Sequence, residues 1–337
     1  MIKKIIKRIL RLVKRILIIT VAIVLITYFI YNLILTICFE KISKESESDY
    51  TNPVFSDDVQ IHLVDVGQGD GIVITYQNKV VVIDAGPMLH KTAMKDYLQK
   101  IGVKRINALI ITHPHQDHFG GLDFILCNFK VNQIYTTEIS SNVDMSPTER
   151  FHLTQYNYII SKYNRINNYS KITSIDCKDG KLSHLSFEPL EFTFLGPIKD
   201  YENFNNNSII VRMDYGNVSA LFTGDIEADA EHDLVKAYRR SGLLDVDILK
   251  VPHHGSHTSS SQEFLDIVDP EIGLISCAID NDVWHPHKPV AKRLKEMGIT
   301  LYRTDEGGSI VLTIDGTNIE SSSKKGDYKS GSQLSSD

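Results

Sequence analysis

Three histidines and one aspartate occur within six residues at 113–118 (HPHQDH), and this motif constrains the fold more than any other feature of the chain. It follows an apolar segment at 107–112 and precedes two glycines, which predicts a turn between a strand and a helix. Imidazoles and a carboxylate at this density are typical ligands of Zn²⁺ and similar cations. In an extended loop the first two histidines point to the same side, while the aspartate and the last histidine can face a second ion.

Two further histidine-rich segments and one acid are predicted to reach the same place. The segments lie at 253–257 and 285–287, and each follows an apolar strand or its loop. Asp225 ends the apolar segment ALFTGD, where a carboxylate can bridge two cations with one oxygen to each. The alternative is that Asp225 only caps the next helix, but the nearby histidines favour a metal ligand. Asp65 and Asp84 also end strands near glycines, either as turn formers or as acceptors that orient ligand imidazoles.

Apolar runs rich in β-branched residues alternate with helical patterns over most of the chain, which predicts a layered α/β domain at 59–320. Strands are expected at 60–66, 71–76, 79–84, 107–112, 131–135, 191–195, 208–213, 217–223, 245–251, 271–276 and 309–314. Helices are expected at 88–101, 120–129, 148–163, 227–240, 259–268 and 288–297. Residues 138–186 are interpreted as an insertion beside the site, 40–58 as a linker and 321–337 as a disordered tail.

The N-terminal region predicts a membrane anchor. Residues 16–39 carry no charge and would extend roughly 36 Å as a helix, enough for a hydrocarbon core of about 30 Å. Seven basic residues within 1–15 predict that this segment stays in the cytoplasm and that the rest of a single-pass protein lies outside. A cleaved signal peptide is the alternative, but its apolar core is usually shorter. A lipoprotein signal ending at Cys38 is disfavoured, because Ile37 occupies the place of a small residue.

Charge argues against a generally basic, polyanion-binding surface. The chain has 36 Lys and Arg against 42 Asp and Glu. Because seven of the basic residues precede position 16, the remainder has 29 basic and 42 acidic residues, a net charge of −13. Binding to DNA phosphates would then depend on a local group of basic residues.

The order of these motifs resembles the metallo-β-lactamase superfamily, and more closely the extracellular metallohydrolase domain of ComEC-type competence proteins. The closer resemblance rests on the motifs HLVDVGQGD at 62–70, VIDAG at 82–86, THPHQDHFGG at 112–121, NS at 207–208, FTGD at 222–225, LKVPHHGS at 249–256 and RTDEGG at 303–308. It implies an αβ/βα sandwich that carries two divalent ions, Zn²⁺ or Mn²⁺, and no organic cofactor.

The resemblance also implies roles for individual residues. His113 and His115 would hold one ion, Asp117 and His118 the other, and Asp225 would bridge them. His253 would complete the set, although the sequence leaves open whether His253, His254 or His285 is the ligand. Asn207 and Ser208 stand where many superfamily members have another histidine, so the first ion has fewer protein ligands. Asp117, His254 and His285 are the candidate catalytic groups, the two histidines as proton donors.

Two metal ions about 3.5–4 Å apart can hold a hydroxide for attack on a phosphoryl or carbonyl centre. Hydrolysis of DNA phosphodiesters is the function that the resemblance favours. A cell-envelope phosphoesterase acting on phosphocholine or a teichoic-acid-like polymer is the main alternative, and a lactonase or β-lactamase is a weaker one. A non-catalytic binding module is disfavoured, because the chain retains its potential ligands.

Overall fold

The computed structural model describes residues 2–140, 143, 145–167, 169–279 and 281–331. Within these residues, fifteen strands form two sheets, because short runs of β-branched and aromatic residues alternate with turns. The strands are β1 (Val59–Leu63), β2 (Ile72–Tyr76), β3 (Lys79–Ile83), β4 (Arg105–Ile110), β5 (Lys130–Thr137), β6 (Lys171–Ile175), β7 (Ser183–Phe187), β8 (Leu190–Gly196), β9 (Ile210–Tyr215), β10 (Val218–Phe222), β11 (Ile248–Lys250), β12 (Ile272–Ile275), β13 (Thr300–Arg303), β14 (Ile310–Ile314) and β15 (Ile319–Glu320). The α-helices are α1 (Ile2–Lys44), α2 (Ala93–Lys100), α3 (Gln116–Phe119), α4 (Leu122–Asn128), α5 (Pro147–Ile166), α6 (Ala228–Tyr238), α7 (Gln262–Val268), α8 (Lys288–Glu296) and α9 (Thr304–Gly307).

Each sheet combines an antiparallel part with a parallel part. The first sheet has the order β15-β14-β1-β2-β3-β4-β5-β6, in which β3 to β6 are parallel. The second has the order β13-β12-β11-β10-β9-β8-β7, in which β10 to β13 are parallel. Parallel strands end at a common edge, so the loops that follow them collect there.

The sheets pack face to face, and helices cover their outer faces. Between the sheets lies an apolar core to which both contribute, for example Ile61 and Ile110 from the first and Phe194 and Phe222 from the second. A second core joins the first sheet to α2, α4 and α5, and a third joins the second sheet to α6, α7 and α8. These four layers confirm the predicted αβ/βα sandwich.

All eleven predicted strands and all six predicted helical regions coincide with observed elements, with shifts of a few residues at their ends. Four observed strands, β6, β7, β13 and β15, were not predicted. β6 and β7 are edge strands with several exposed polar side chains, and β13 and β15 have four and two residues. Such strands lack the long apolar runs by which the others were recognised.

Among the described residues, one helix is long and apolar enough to cross a membrane, and it lies in the expected N-terminal region. It differs from the expectation at its C-terminal end, since α1 continues to Lys44 through part of the predicted linker. Leu35, Phe39 and Ile42 are buried against the domain, and the Phe39 ring meets that of Tyr163 edge to face, with centroids 5.1 Å apart. The apolar character of the last turns therefore serves packing on the domain.

Part of the predicted disordered tail is also packed on the domain. The backbone carbonyls of Asp327 and Lys329 accept hydrogen bonds from the buried guanidinium of Arg303 at 3.1 and 2.5 Å. The Tyr328 hydroxyl donates to the carbonyl of Ile299. Residues 321–331 are therefore ordered, and residues 332–337 lie outside the described part of the chain.

Candidate metal centre

The side chains singled out in the sequence meet where the parallel parts of the two sheets end. Asp84 follows β3 and the 113–118 motif follows β4, both in the first sheet. Asp225 follows β10 and His254 follows β11, both in the second sheet. Each sheet thus delivers imidazole and carboxylate groups to one edge of the sandwich.

Four of these side chains form a compact donor group: Asp117, His118, Asp225 and His254 each offer a ligand atom within 4.8 Å of the others. His118 Nε2 lies 3.1 Å from Asp225 Oδ2, and His254 Nε2 lies 3.5 Å from both Asp225 Oδ2 and Asp117 Oδ2. His118, Asp225 and His254 are buried, whereas Asp117 is partly exposed.

The donor atoms of this group fit a divalent cation. His118 Nε2, His254 Nε2 and Asp225 Oδ1 are buried, and none has a hydrogen bond of acceptable geometry in the described part of the chain. Leaving several polar atoms buried and unpaired is costly, and a cation would satisfy all three at once. The chain thus has a buried His/Asp cluster suited to divalent metal binding.

His113 and His115 form a second pair of donors next to the first group. His113 Nε2 and His115 Nδ1 are 2.9 Å apart, and the rings of His113 and His118 have centroids separated by 4.2 Å. The other nitrogen of His113 lies 3.1 Å from Thr112 Oγ1 and 3.2 Å from Ser208 Oγ. This leaves Nε2 of His113 directed toward His115, the arrangement expected if the two histidines share an ion.

Asp84 fixes the orientation of the ligand loop. Its Oδ2 lies 2.7 Å from His118 Nδ1, and its Oδ1 accepts a hydrogen bond from the backbone N–H of Thr112 at 2.8 Å. Because Asp84 binds Nδ1, His118 presents Nε2 to the donor group. This is the contact expected for a carboxylate that orients a ligand imidazole.

The structure brings His254, and not the expected His253, into the donor group. His254 Nδ1 donates to the carbonyl of Ser276 at 2.8 Å and lies 3.3 Å from Asp70 Oδ1, so its Nε2 faces Asp117 and Asp225. His253 Nε2 is 3.9 Å from Asp225, and its Nδ1 lies 3.2 Å from Thr258 Oγ1 at the rim. Both histidines have positive φ, and this tight turn sends the two neighbouring side chains in different directions.

Two of the expected supporting residues lie elsewhere. Asp65 is exposed and accepts a hydrogen bond from the backbone N–H of Gly67, so it orients no ligand imidazole. Asn207 bonds the backbone of Tyr201 and Asn203, away from the donors. Ser208 does contact His113, and its hydroxyl also accepts from the backbone N–H of Asp225 at 3.1 Å.

Sequence reasoning missed Asp70 and Lys250, which lie behind His254. Asp65 and Asp70 are the first and last residues of the DVGQGD motif, and the sequence does not indicate which of the two is buried. Lys250 interrupts an apolar strand with a charge, and this is the one signal that could have indicated a buried partner.

His285 lies beside the donors without joining them. Its ring stacks on that of His254 with centroids 5.9 Å apart, and Gln68 Nε2 lies 3.2 Å from its Nδ1. Burial lowers the pKa of His285 to about 3, so the imidazole is neutral near pH 7. Since an amide nitrogen is only a donor, Nδ1 accepts and Nε2 carries the proton.

The carboxylates and imidazoles of the donor group shift each other's pKa values. Burial lowers the pKa values of His118 and His254, but the surrounding carboxylates, chiefly Asp225, outweigh it and raise both well above the usual range. Burial raises the pKa of Asp225, but these histidines hold it well below its usual range. Divalent cations therefore compete with protons for the group.

Gly224 allows the second sheet to approach the first at this edge. It has a φ of +55°, and a Cβ atom there would lie 2.8 Å from Ser208 Oγ and 3.0 Å from Thr112 Cβ. Glycine avoids both the backbone strain and the contact, which lets Asp225 reach His118.

Comparison with known proteins agrees with this geometry. The family model of the metallo-beta-lactamase superfamily matches residues 64–278. The chain is 28% identical over 277 residues to ComE operon protein 3 of Bacillus subtilis, covering 77% of this chain and 33% of that protein. It is 27% identical over 249 residues to competence protein ComA of Neisseria gonorrhoeae, covering 73% and 31%. The chain thus spans about a third of the length of the curated relatives it matches.

A solved structure supports the fold alone. A variant of the CmlA beta-hydroxylase aligns with a TM-score of 0.51 at 16% identity, over 77% of this chain and 54% of that one. The family match, together with the donor group at the sheet edge, shows that the chain belongs to the metallo-β-lactamase superfamily of metal-dependent hydrolases, and its homologues there include competence proteins.

Proposed function

We propose that this chain is a membrane-anchored metal-dependent phosphodiesterase that cleaves DNA outside the cytoplasm. The observation that carries the proposal is the donor group of Asp117, His118, Asp225 and His254 in a domain homologous to competence proteins. The names of those relatives support DNA as the substrate.

The proposed site would hold two ions, Zn²⁺ or Mn²⁺. His113 and His115 would hold one, Asp117, His118 and His254 would hold the other, and Asp225 would contribute to both. Divalent ions in such sites lower the pKa of water and neutralise charge that develops on a phosphoryl group. Partly exposed Asp117 marks the side from which substrate enters.

His285 is proposed to position the substrate. Its neutral imidazole presents Nε2–H near the donors, where it can donate a hydrogen bond to a phosphate oxygen. His254 is assigned to metal binding, so it is not proposed as the proton donor. His253 lies at the rim and is also not assigned to an ion.

Trp284 supports a nucleic-acid substrate. It is the single tryptophan of the chain, it is 60% exposed, and it precedes His285. Asn281 fixes this loop, since its amide accepts from the N–H of His285 at 2.7 Å and donates to the carbonyl of Ala278. An exposed indole ring on a fixed loop can stack on a nucleobase. Stacking does not depend on positive charge, so it can contribute to nucleic-acid binding by an acidic domain.

The N-terminal helix supports the anchoring part of the proposal. Residues 16–30 are uncharged and exposed, and seven basic residues precede them. The distribution of positive charge favours a cytoplasmic N-terminus and an extracellular catalytic domain. A cell-envelope phosphoester is the second candidate substrate, because the net charge of −13 after position 15 disfavours nonspecific DNA binding.

The test uses the full chain in detergent or nanodiscs, reconstituted with Mn²⁺ or Zn²⁺. Cleavage of end-labelled single- and double-stranded DNA is followed beside release of phosphate esters from wall polymer. Asp225→Asn removes the central carboxylate, and Asp229→Asn removes the same charge from an exposed position on α6. We expect metal-dependent DNA cleavage that is lost in Asp225→Asn and retained in Asp229→Asn. Two bound ions without DNA cleavage, together with release from wall polymer, would instead establish the envelope substrate.

A further inference from the structure

A C-terminal strap, residues 326–331, crosses from the edge of the second sheet to the loop between β12 and α8. At one end the backbone N–H of Gly326 donates to the carbonyl of Leu301 at 2.9 Å, on the outermost strand β13. At the other end the N–H of Gly331 donates to the carbonyl of Pro286 at 3.0 Å. The strap therefore ties this loop to the body of the domain.

The RTDEGG motif holds the middle of the strap. Arg303 is buried, and its guanidinium donates to the backbone carbonyls of Asp327 and Lys329 at 3.1 and 2.5 Å. The Asp305 carboxylate accepts from the same guanidinium, at 2.7 Å from Nη2 and 3.1 Å from Nε. Glu306 accepts from the backbone N–H of Asp327 at 3.1 Å. Because a two-bond pair with a carboxylate fixes the plane of the guanidinium, the backbone of the strap has one defined path.

Gly331 packs against the backbone between Trp284 and His285. A Cβ atom at Gly331 would lie 2.4 Å from the carbonyl oxygen of His285 and 2.8 Å from the carbonyl carbon of Trp284. These distances are much shorter than a van der Waals contact, so another residue would fit only if the loop or the strap moved. The same His285 carbonyl accepts from the Asn281 amide at 2.9 Å. The backbone of the loop is therefore held by Asn281 from within and by the strap from outside.

Cover for an edge strand explains only part of the strap. β13 needs cover because an edge strand exposes unpaired backbone groups. Gly326 supplies it by its bond to Leu301, and the Tyr328 hydroxyl donates to the carbonyl of Ile299, just before the strand. From there the strap continues to Gly331, which lies against the loop. The contacts of this last residue thus serve the loop and not the strand.

We propose that the strap positions Trp284 and His285 for the substrate of the neighbouring metal centre. Val283 and Trp284 are more than half exposed, so the outer part of the loop has little support from its own side chains. A loop that is ordered before binding loses less conformational entropy when substrate engages it. Gly331 is thus a positioning residue, which acts through Trp284 and His285. The inference rests on the proposed function for its substrate, but the contact between strap and loop requires neither metal nor substrate.

The test uses the fluorescence of Trp284, which is the single tryptophan of the chain and reports directly on the loop. The anisotropy of tryptophan emission is measured on the full chain in detergent, without metal. Gly331→Val adds a side chain where the backbone of the loop already lies, so it should separate the strap from the loop. We expect the anisotropy to fall by roughly a third or more, because a released loop moves on the nanosecond timescale of the emission.

Ser322→Val is the matched control, since it adds the same side chain at an exposed position of the tail before the strap. Its anisotropy should equal that of the wild type. Deletion of residues 329–337 removes the support without adding bulk, keeps Gly326 and Tyr328 on the sheet, and should lower the anisotropy as Gly331→Val does. Thermal melting checks that each variant is folded. An unchanged anisotropy in Gly331→Val, or a fall in Gly331→Val but not in the deletion, would overturn the proposal.

Steady-state kinetics separate positioning from chemistry. Both strap variants should raise KM for single-stranded DNA by about 2- to 12-fold, the effect of immobilising one freed side chain on binding. We expect kcat to be unchanged, because the donor group does not contact the strap. A lower kcat at unchanged KM would overturn the positioning role. If the wild type cleaves no DNA while the anisotropy falls as expected, the proposed function fails and the hold of the strap on the loop stands.

Discussion

The ammonium group of Lys250 lies 2.9 Å from Asp70 Oδ2, and both side chains are buried. The other oxygen of Asp70 lies 3.3 Å from Nδ1 of His254. Burial raises the pKa of Asp70, but Lys250 and His254 together hold it below its usual range, so the carboxylate stays ionised. Lys250 thus stabilises the charge that helps to orient His254.

Replacing Lys250 with methionine should strongly destabilise the domain. The change leaves the Asp70 carboxylate buried without its cation, which typically costs about 3–5 kcal/mol. Urea denaturation of the metal-free chain measures the loss. Lys292→Met, on the exposed face of α8, should change stability by less than about 0.5 kcal/mol. The double variant Lys250→Met, Asp70→Leu should recover part of the loss, and a double variant less stable than Lys250→Met would contradict this account.

His254 and His253 should differ in their effect on metal content. His254→Gln removes a buried imidazole from the donor group and should weaken binding of one ion by at least about tenfold. His253→Gln alters a rim residue and should leave stoichiometry unchanged. Calorimetric titration with Zn²⁺ and Mn²⁺ on both variants measures the effect. A larger loss of metal binding in His253→Gln than in His254→Gln would restore His253 as the ligand expected from the sequence.

Asp84 should control metal affinity although it donates no ligand atom to the ion. Asp84→Asn weakens the acceptor for His118 Nδ1 and should lower affinity about 10- to 100-fold. Asp65→Asn makes the same change at an exposed acid that follows β1 in the same sheet, and it should have no effect. Equal affinities in the two variants, measured by chelator competition, would show that the contact to His118 is unimportant.

Trp284 should matter for polynucleotides and not for small diesters. Loss of one stacked base costs about 1–3 kcal/mol, so Trp284→Ala should raise KM for single-stranded DNA by about 5- to 150-fold. Hydrolysis of bis-p-nitrophenyl phosphate should keep its wild-type kcat/KM. Val283→Ala, at an exposed neighbour, serves as the control. A similar loss on both substrates would mean that the loop acts on the metal site itself.

His62 should make the domain acid-sensitive. Burial lowers its pKa from 6.5 to about 4, so the unfolded chain takes up a proton in this range while the folded chain does not. Stability should therefore fall as the pH decreases from about 6.5 to 4, by roughly 3 kcal/mol from this residue. Denaturant unfolding at several pH values tests this. In His62→Gln the fall should be smaller by that amount, and an unchanged pH profile would exclude His62 as its source.

The sequence was sufficient to predict the sandwich and most of the residues at its edge, because the motifs follow long apolar strands whose ends are easily recognised. It was insufficient where two residues close in sequence differ only in which side chain points into the domain. His253 and His254 are adjacent, and the backbone turn with positive φ at both decides which ring points inward. Asp65 and Asp70 belong to one loop, and its path across two glycines with positive φ buries the second acid.

Long-range contacts were also invisible in the sequence. Lys250 and Asp70 are 180 positions apart, and only the packed sheets bring them together. In the N-terminal helix, an apolar residue that packs on α5 looks the same as one that faces lipid, so Leu35 and Phe39 were included in the span. Hydrophobicity indicates that a side chain avoids water, but not which apolar surface covers it.

The donors come from both sheets, and His113 and His254 are separated by 141 positions in the chain. A chain that is still being synthesised or translocated cannot assemble the complete centre until β11 has joined the second sheet beside the first. Metal capture must then follow folding of almost the whole domain. The supply of ions in the compartment where folding finishes, rather than the one where translation begins, would decide which metal the protein carries.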